Sequence, residues 1–553
     1  GSLPRTVPCP SPRGPGPQPV MTARASEAPP DVAPRIAPGE VALLASVFVV
    51  AACGLLYELA AGTLASWLLG DSVLQFSTII GAYLFAMGLG SFASRYVQRQ
   101  LVATFLGVEL LVATIGGLMP ALLFMAHNAL LGTHGSAAAF RTLLYGMVLA
   151  VGALVGFEIP LVMRILKAQF SERWQLSELV SQVLTFDYLG ALAVSVAFPL
   201  LLLPQLGLVR TGVAFGLMNA AVAAWTLWLF RHDIRAARAW GVACALVGAV
   251  LATAALGADR INDWAEQRFY GDRIVHALTS PYQRIVVTAN GAGQRRLFLN
   301  GNLQFDSRDE YRYHEALVHP AMAAHGAPRR VVVLGGGDGM AVREVLKWAS
   351  VESVTLVELD AGMTALFRDQ SALAALNHRS LESPKVNVVN EDAFAWLERN
   401  PDQIFDVVII DFPDPSNFTL GKLYTTTFYE LVDRHLAASG FLGVQSTSPL
   451  VARRSFWSVV ATLEAVGLDT TPYHAHVPSF GEWGFIVASR RPWREPDALP
   501  AGLRFVTREG LAAMRHFPPD MSRVSAAQAP VNRLSNQALV QLFEKEWGRV
   551  REP

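Results

Sequence analysis

Five short apolar runs in the second half of the chain each end in polar residues of a type that chemistry uses. RRVVVL gives way to Gly335-Gly336-Gly337-Asp338-Gly339, and SVTLV to Glu358. KVNVV leads to Asp392-Ala393, FDVVII to Asp411-Phe412-Pro413-Asp414-Pro415, and GFLGV to Gln445. Glycines let a turn pass close to a ligand, and Asp338 among them can grip a cation. Glu358 follows the glycine turn by about 20 residues, the usual spacing for an acid that accepts protons from ribose hydroxyls. Taken alone, an acid after a strand is often only a helix cap. Five such ends on one rim say more.

An acid inside the glycine turn would repel a pyrophosphate at a helix N-terminus, so a dinucleotide dehydrogenase is a poor fit. An adenosyl sulfonium, which has a positive centre, a primary amine and no phosphate, suits the rim better. The Asp411-x-x-Asp414 turn adds a second element. A primary amine, with a pKa near 10 like that of lysine, arrives protonated at neutral pH and is not nucleophilic. A carboxylate in a site shielded from water can take that proton as the nitrogen attacks, while the second acid holds charge. The plainer reading of this turn is a proline-stabilised loop with Asx turns.

The elements that must position these residues follow from the pattern. Over 328–495, fully apolar strands alternate with helical stretches, which predicts a Rossmann-like, parallel, doubly wound sheet with ligands at the carboxyl ends of its strands. Ahead of it, 259–327 holds a linker and a small β unit. There RIVVTANGAGQRRLFLNGNLQF alternates apolar and polar positions, with Asn290-Gly291 and Asn300-Gly301 as turn signals. Residues 496–553 show helical patches without legible chemistry.

The first half is of another kind. Of the 553 residues 52% are hydrophobic and only 16% charged, against about 25% charged in soluble domains, and the shortfall lies almost wholly before residue 258. Seven long apolar runs, near 41–62, 75–95, 103–126, 142–164, 183–204, 211–230 and 239–258, predict a multi-pass α-helical membrane domain over 38–258. Four acids fall in these runs: Glu58, Glu109, Glu158 and Asp187. A mid-bilayer charge costs about 2.5–3.5 kcal/mol on insertion scales, so such residues face a cavity or a partner. They are candidates for a cationic pathway; the bland alternative places them at interfaces or in helix–helix hydrogen bonds. Glu158 precedes Pro160, a combination that can open a helix. Residues 1–37, rich in Pro, Gly, Arg and Ser, are expected to be a disordered leader without a signal-peptide pattern.

The net charge of zero gives no reason to expect nucleic-acid binding. Cys9, Cys53 and Cys244 are too scattered for a zinc site or a disulfide framework, so no metal is expected.

The run from Tyr282-Gln283 through LNGNLQFDSRDEYRYHEALVHP, LGGGDGMAVREVL, VELD, NEDAF and DFPDP to VQSTSP resembles spermidine synthase, and the apolar first half resembles the bacterial members fused to a transmembrane region. The resemblance implies a transferase that moves an aminopropyl group from decarboxylated S-adenosylmethionine, a co-substrate, to a diamine such as putrescine, with no prosthetic group. It implies that Gln283, Gly335, Gly337, Asp338, Glu358, Asp392 and Ala393 hold the donor. Tyr313, His314, Asp338, Asp414 and Gln445 would face the acceptor, with Asp411 as the base. The soluble members carry a Tyr three residues before the Gly of a Gly-x-Trp-x-Phe stretch; here Pro478 precedes Gly481-Glu482-Trp483-Gly484-Phe485, which touches the far end of the acceptor channel. Soluble members are dimers or tetramers, so a homodimer is expected.

Two other functions fit parts of the sequence: a membrane-bound S-adenosylmethionine-dependent methyltransferase on the same fold, and a polyamine transporter or sensor whose synthase-like half binds without catalysis. A cell-membrane location follows from the apolar runs. Arg95, Arg99, Arg164, Lys167, Arg173, Arg231, Arg235 and Arg238 follow even-numbered runs, against Arg141 and Arg210 on the other side. This bias puts the N-terminus in the cytoplasm and, with seven spans, the catalytic half outside. Synthesis of the donor in the cytosol argues for the cytosolic face.

Overall fold

The structure, a computed structural model, describes residues 38–69, 72–130, 136–169 and 176–551. The leader 1–37, with Cys9, and Arg173 lie outside the described residues. The first half is a bundle of helices: α1 (Pro38–Leu69), α2 (Ser72–Ser94), α3 (Leu101–Leu130), α4 (Ser136–Gln169), α5 (Leu176–Ala197), α6 (Leu203–Leu229) and α7 (Ala237–Tyr270). Among the described residues six continuous helices are long and apolar enough to cross a membrane, by length and composition.

The fifth of them, Ser177–Leu229, has 53 residues. That is roughly 80 Å at 1.5 Å per residue, far more than a bilayer needs. It bends where Gly207 takes φ 70, ψ 174, a conformation open to glycine alone. The helical path is broken there, so runs five and six of the sequence are two separate arms, the first packed against α1 and the second against α3. Pro160 does not open α4, which continues through it to Gln169; the Arg164 guanidinium accompanies it, donating Nε to Pro160 O at 3.2 Å and its Nη groups to Val97 O and Ser94 O at 2.7 Å.

The bundle packs as apolar helices do when burial of side chains gives no advantage over lipid: through small residues that let backbones touch. A Cβ on Gly90 would lie 1.9 Å from Ala153 O, and one on Gly156 2.1 Å from Met87 O, so α2 and α4 meet backbone to backbone. Outward, Leu84, Phe85, Leu89 and Phe92 form an exposed apolar stripe along α2, the surface expected of a lipid-facing helix.

Beyond α7 come two sheets. β1 (Arg273–Thr279), β2 (Arg284–Ala289), β3 (Arg295–Leu299) and β4 (Asn302–Asp306) form the small antiparallel sheet, in chain order. Asn300 and Gly301, both at positive φ, make the tight turn between β3 and β4. After helix α8 (Glu310–His325) the large sheet follows: β5 (Arg330–Gly335), β6 (Ser353–Glu358), β7 (Val386–Asn390), β8 (Phe405–Asp411), β9 (Leu436–Ser446), β10 (Asp469–Val477) and β11 (Gly481–Ser489). Its order is β10-β11-β9-β8-β5-β6-β7. The five strands from β7 to β9 are parallel. β11 runs against them, pairing antiparallel with both β9 and β10, which corrects the expectation of a wholly parallel sheet.

The strands read as unbroken apolar runs because both faces are covered. Val331 and Val333 enter one core with Leu356 and Ile409, whereas Val332 and Leu334 enter the other with Val408, Ile410 and Leu442. Chain order reverses between β5 and β8, which leaves a crevice at their carboxyl ends. There the backbones are close: a Cβ on Gly335 (φ 82) would lie 2.4 Å from Asp411 O. Gly335→Ala is therefore expected to cost about 1–3 kcal/mol. Gly467→Ala, at φ 88 with open space around it, bears the φ strain alone. Thermal unfolding should show a clearly lower midpoint for the first than for the second.

Candidate active site

β5 delivers Asp338 and β8 delivers Asp411 to the two lips of this crevice, and α8 lays Tyr313 and His314 across it. The Tyr313 hydroxyl donates to Asp411 Oδ1 at 2.7 Å. Gly336 makes room for the same carboxylate, since a Cβ there would meet Asp411 Oδ2 at 2.8 Å. Asp338 is 7% exposed, its Oδ1 accepting from the Met340 amide at 2.9 Å. His314 Nδ1 lies 2.8 Å from Glu310 Oε2, and Glu310 is gripped in turn by both Nη groups of Arg343 at 2.9 and 3.0 Å.

This buried chain sets charge. Desolvation works against the His314 cation, but the bond to Glu310 and the fields of Glu310, Asp338 and Asp411 prevail and raise its pKa to about 9. Burial raises Asp411 to about 6, against the opposing pull of His314 and the Tyr313 hydrogen bond. Asp338 is also raised, first by burial. At neutral pH an imidazolium thus faces the Asp411 carboxylate, with Asp338 beside it.

A second cluster stands on the same rim. Asp414 is half-buried, with Oδ1 enclosed and lacking a partner among the described residues, and desolvation lifts it to about 7 despite hydrogen bonding with Thr447 and Gln445. Gln445 is fixed by its neighbours: its amide donates to Phe412 O and to the Tyr424 hydroxyl (2.8 Å), and its Oε1 accepts from Trp483 Nε1 at 3.1 Å. Trp547 Nε1 in turn donates to Thr447 Oγ1 at 2.9 Å. Tyr424, Thr447, Trp483 and Trp547 were not singled out from the sequence. Trp483 sat within the Gly-x-Trp-x-Phe stretch and Thr447 within VQSTSP, but Trp547, about 100 residues away in an unremarkable tail, had no local signal.

Glu358 lies across the glycine turn. It accepts from the Gly337 amide (Oε2, 3.1 Å) and from the Asp360 amide (Oε1, 2.9 Å), and burial raises it to about 7. A Cβ on Gly337 would strike it at 2.6 Å. Gln283 does not touch Glu358; its Nε2 donates to Asp360 Oδ2 at 3.0 Å, and Ser280 Oγ shares that oxygen. Asp392 sits apart from the acidic pair. It caps the helix Ala393–Arg399 through the Phe394 and Ala395 amides and binds Lys422 Nζ at 2.8 Å, so its pKa is lowered even though burial acts the other way. Ala393 is buried at the first position of that helix.

Residues 310–495 match the family model described as the spermine/spermidine synthase domain. Over 521 residues the chain is 54% identical to polyamine aminopropyltransferase 2 of Ralstonia nicotianae, covering 93% of this chain and 99% of that one. The chain belongs to the polyamine aminopropyltransferases. A polyamine aminopropyltransferase of Leptospira interrogans is 48% identical over 517 residues, with 92% and 99% covered. A solved spermidine synthase in complex with the transition-state analogue AdoDATO is 25% identical, covering 44% of this chain and 86% of that one at a TM-score of 0.41. Alignments of more than 500 residues must run through the helical half as well as the synthase half. Membership makes the protein a transferase of aminopropyl groups in polyamine biosynthesis, with decarboxylated S-adenosylmethionine as the donor co-substrate.

The His314 pKa has a consequence for this aminopropyltransferase's stability. In the unfolded chain a histidine titrates near 6.5, and in the folded one His314 keeps its proton to about 9. The folded state binds the extra proton between these values. The stabilisation is therefore complete below about 6.5 and is lost as pH rises towards about 9. Glu310→Gln should flatten this fall, which unfolding midpoints measured from pH 6 to 9.5 can check.

Proposed function

We propose that the rim between β5 and β8 joins the aminopropyl carbon of the donor to a primary amine of putrescine, giving spermidine and methylthioadenosine. The observation that carries this reading is Asp411, half-buried and held by Tyr313 beside the Asp338–His314 pair. The amine arrives as an ammonium. Asp411 accepts one of its protons as the nitrogen lone pair attacks the methylene carbon bonded to the sulfonium. The carbon–sulfur bond breaks, its electron pair stays on sulfur, and neutral methylthioadenosine leaves. Sulfur departs uncharged, so no oxyanion has to be stabilised. The product leaves as a secondary ammonium, and Asp411 releases the proton it took to solvent.

In this proposal Asp414 and Gln445 hold the acceptor nitrogens, with Gln445 oriented by Trp483 and Tyr424. Tyr313 keeps the Asp411 carboxylate aimed. Asp338 takes the donor's own amine, with the charged His314 beside it. Glu358, set by the Gly337 and Asp360 amides, accepts from the ribose hydroxyls, while Gln283 reaches this subsite through Asp360. Gly335 and Gly337 allow the close backbone approach, and the Asp392-Ala393 helix start lies against the adenine.

We also place the protein in the cell membrane, as a multi-pass homodimer. His127 in the last turn of α3 lies 6.4 Å from Phe269 near the end of α7. The two helix ends thus share a face, which supports an odd number of crossings, with the N-terminus and the synthase half on opposite sides. The donor's cytosolic origin favours the synthase half at the cytosolic face; the basic loops favour the reverse. Under the proposed orientation, protease added to inverted vesicles removes the synthase half and protease added to intact spheroplasts does not. The opposite pattern overturns it.

Asp411→Asn should lower turnover by about 10²–10⁴-fold, assayed as methylthioadenosine formed by detergent-purified protein; S-adenosylhomocysteine as the product would refute aminopropyl transfer here. In the parent, kcat/KM should rise with pH through about 6 as Asp411 ionises. Tyr313→Phe removes a hydrogen bond that holds this pKa down, so the acidic limb should move to higher pH.

A further inference from the structure

The helical half holds a cavity that the transfer chemistry does not use. It lies among α1, α2, α4 and α5, has a volume of about 150 Å³, and receives Glu58 from α1, Glu158 from α4 and Asp187 from α5. Its remaining wall is largely aliphatic, with Leu55 and Met87 among the lining groups, and no Lys, Arg or His lines it. Glu158 is 1% exposed, and neither of its carboxylate oxygens has a hydrogen-bond partner among the described residues. A polar group so placed requires a partner that the chain itself does not supply. Glu109 on α3 is buried and equally unpartnered, but it does not line this cavity.

Two observations define the missing partner. The acids stand too far apart for a metal ion, since no group of three or more His, Cys, Asp or Glu among the described residues could hold one. The cavity's size is that of an engineered void of about 150 Å³ that admits benzene, a molecule with as many heavy atoms as 1,4-diaminobutane. Separated carboxylates joined by aliphatic wall match cationic ends joined by methylenes.

We propose that this cavity is a second binding site for an alkyl diamine or polyamine, distinct from the acceptor site of the synthase half. Glu158 takes one ammonium group, Glu58 and Asp187 compete for the other, and the hydrocarbon chain lies against Leu55 and Met87. The choice of diamine as ligand rests on the transferase reading; the need for an organic cation does not.

The test is equilibrium binding of radiolabelled 1,4-diaminobutane to the full chain in detergent, without donor, with methylthioadenosine production by the same preparations measured separately. Two sites per chain are expected in the parent and one in Glu158→Gln, whose turnover stays within about twofold of the parent. Asp187→Asn, an independent variant should Glu158→Gln fail to fold, is expected to weaken the second site at least about fivefold. One site in the parent, an unchanged count in both variants, or displacement of the diamine by equimolar sodium chloride overturns the proposal. Failure of methylthioadenosine production alone would sink the transferase reading and leave the binding count standing.

Discussion

Uncompensated negative charge governs the rim of the large sheet. Asp338 is buried, Asp411, Asp414 and Glu358 are half-buried, and desolvation raises the pKa of each. Against Asp338 and Asp411 the structure sets the His314 cation, held charged by the Glu310–Arg343 pair behind it. Buried carboxylates in such excess are costly unless something positive arrives. Both substrates of an aminopropyl transfer are positive: a sulfonium that carries an amine, and a diamine. In the proposed function this excess of negative charge selects the ligands by the same electrostatics that move the proton from the attacking nitrogen to Asp411.

Such a rim exists only because the backbone leaves room for it. Gly335 and Gly336 approach Asp411, and Gly337 approaches Glu358, at distances where any side chain would collide. The glycine turn serves here to bring two carboxylates alongside a third strand end. The opposite wall is assembled from far along the chain. Glu546 in the final helix accepts from the Arg454 and Ser455 amides at 3.0 and 2.9 Å, capping the helix Arg453–Ala465. That clamp sets Trp547 one residue on against Thr447, and Thr447 neighbours Asp414.

How much of this was legible in the sequence followed the range of the interaction. The strand ends carrying Asp338, Glu358 and Asp411 were readable because periodicity and turn residues are local signals, and the topology rule then put them on one rim. The antiparallel β10–β11 pair was not separated from the parallel strands, because its Val/Ile/Phe-rich second strand looks the same in either direction. The break at Gly207 separates the two apolar runs that the sequence already showed as distinct. Glu310 and Arg343, which set the charge of His314, are 33 residues apart and met only in three dimensions. Trp547 belongs to the same category: nothing within its own stretch marks it.

The two halves of the molecule are joined by more than a tether. α7 leaves the bundle as a continuous helix that ends at Tyr270, three residues before β1 starts at Arg273. At that junction aromatic rings pass from one half to the other: His127 lies 6.4 Å from Phe269, Phe269 5.0 Å from Tyr270, and Tyr270 4.8 Å from Phe298 on β3. Ring pairs at these separations contribute about 0.5–1.5 kcal/mol each beyond simple burial. A hinge would dispense with such contacts. The small sheet, whose β1–β2 loop carries Ser280 and Gln283 to Asp360, is thereby held to the end of α3.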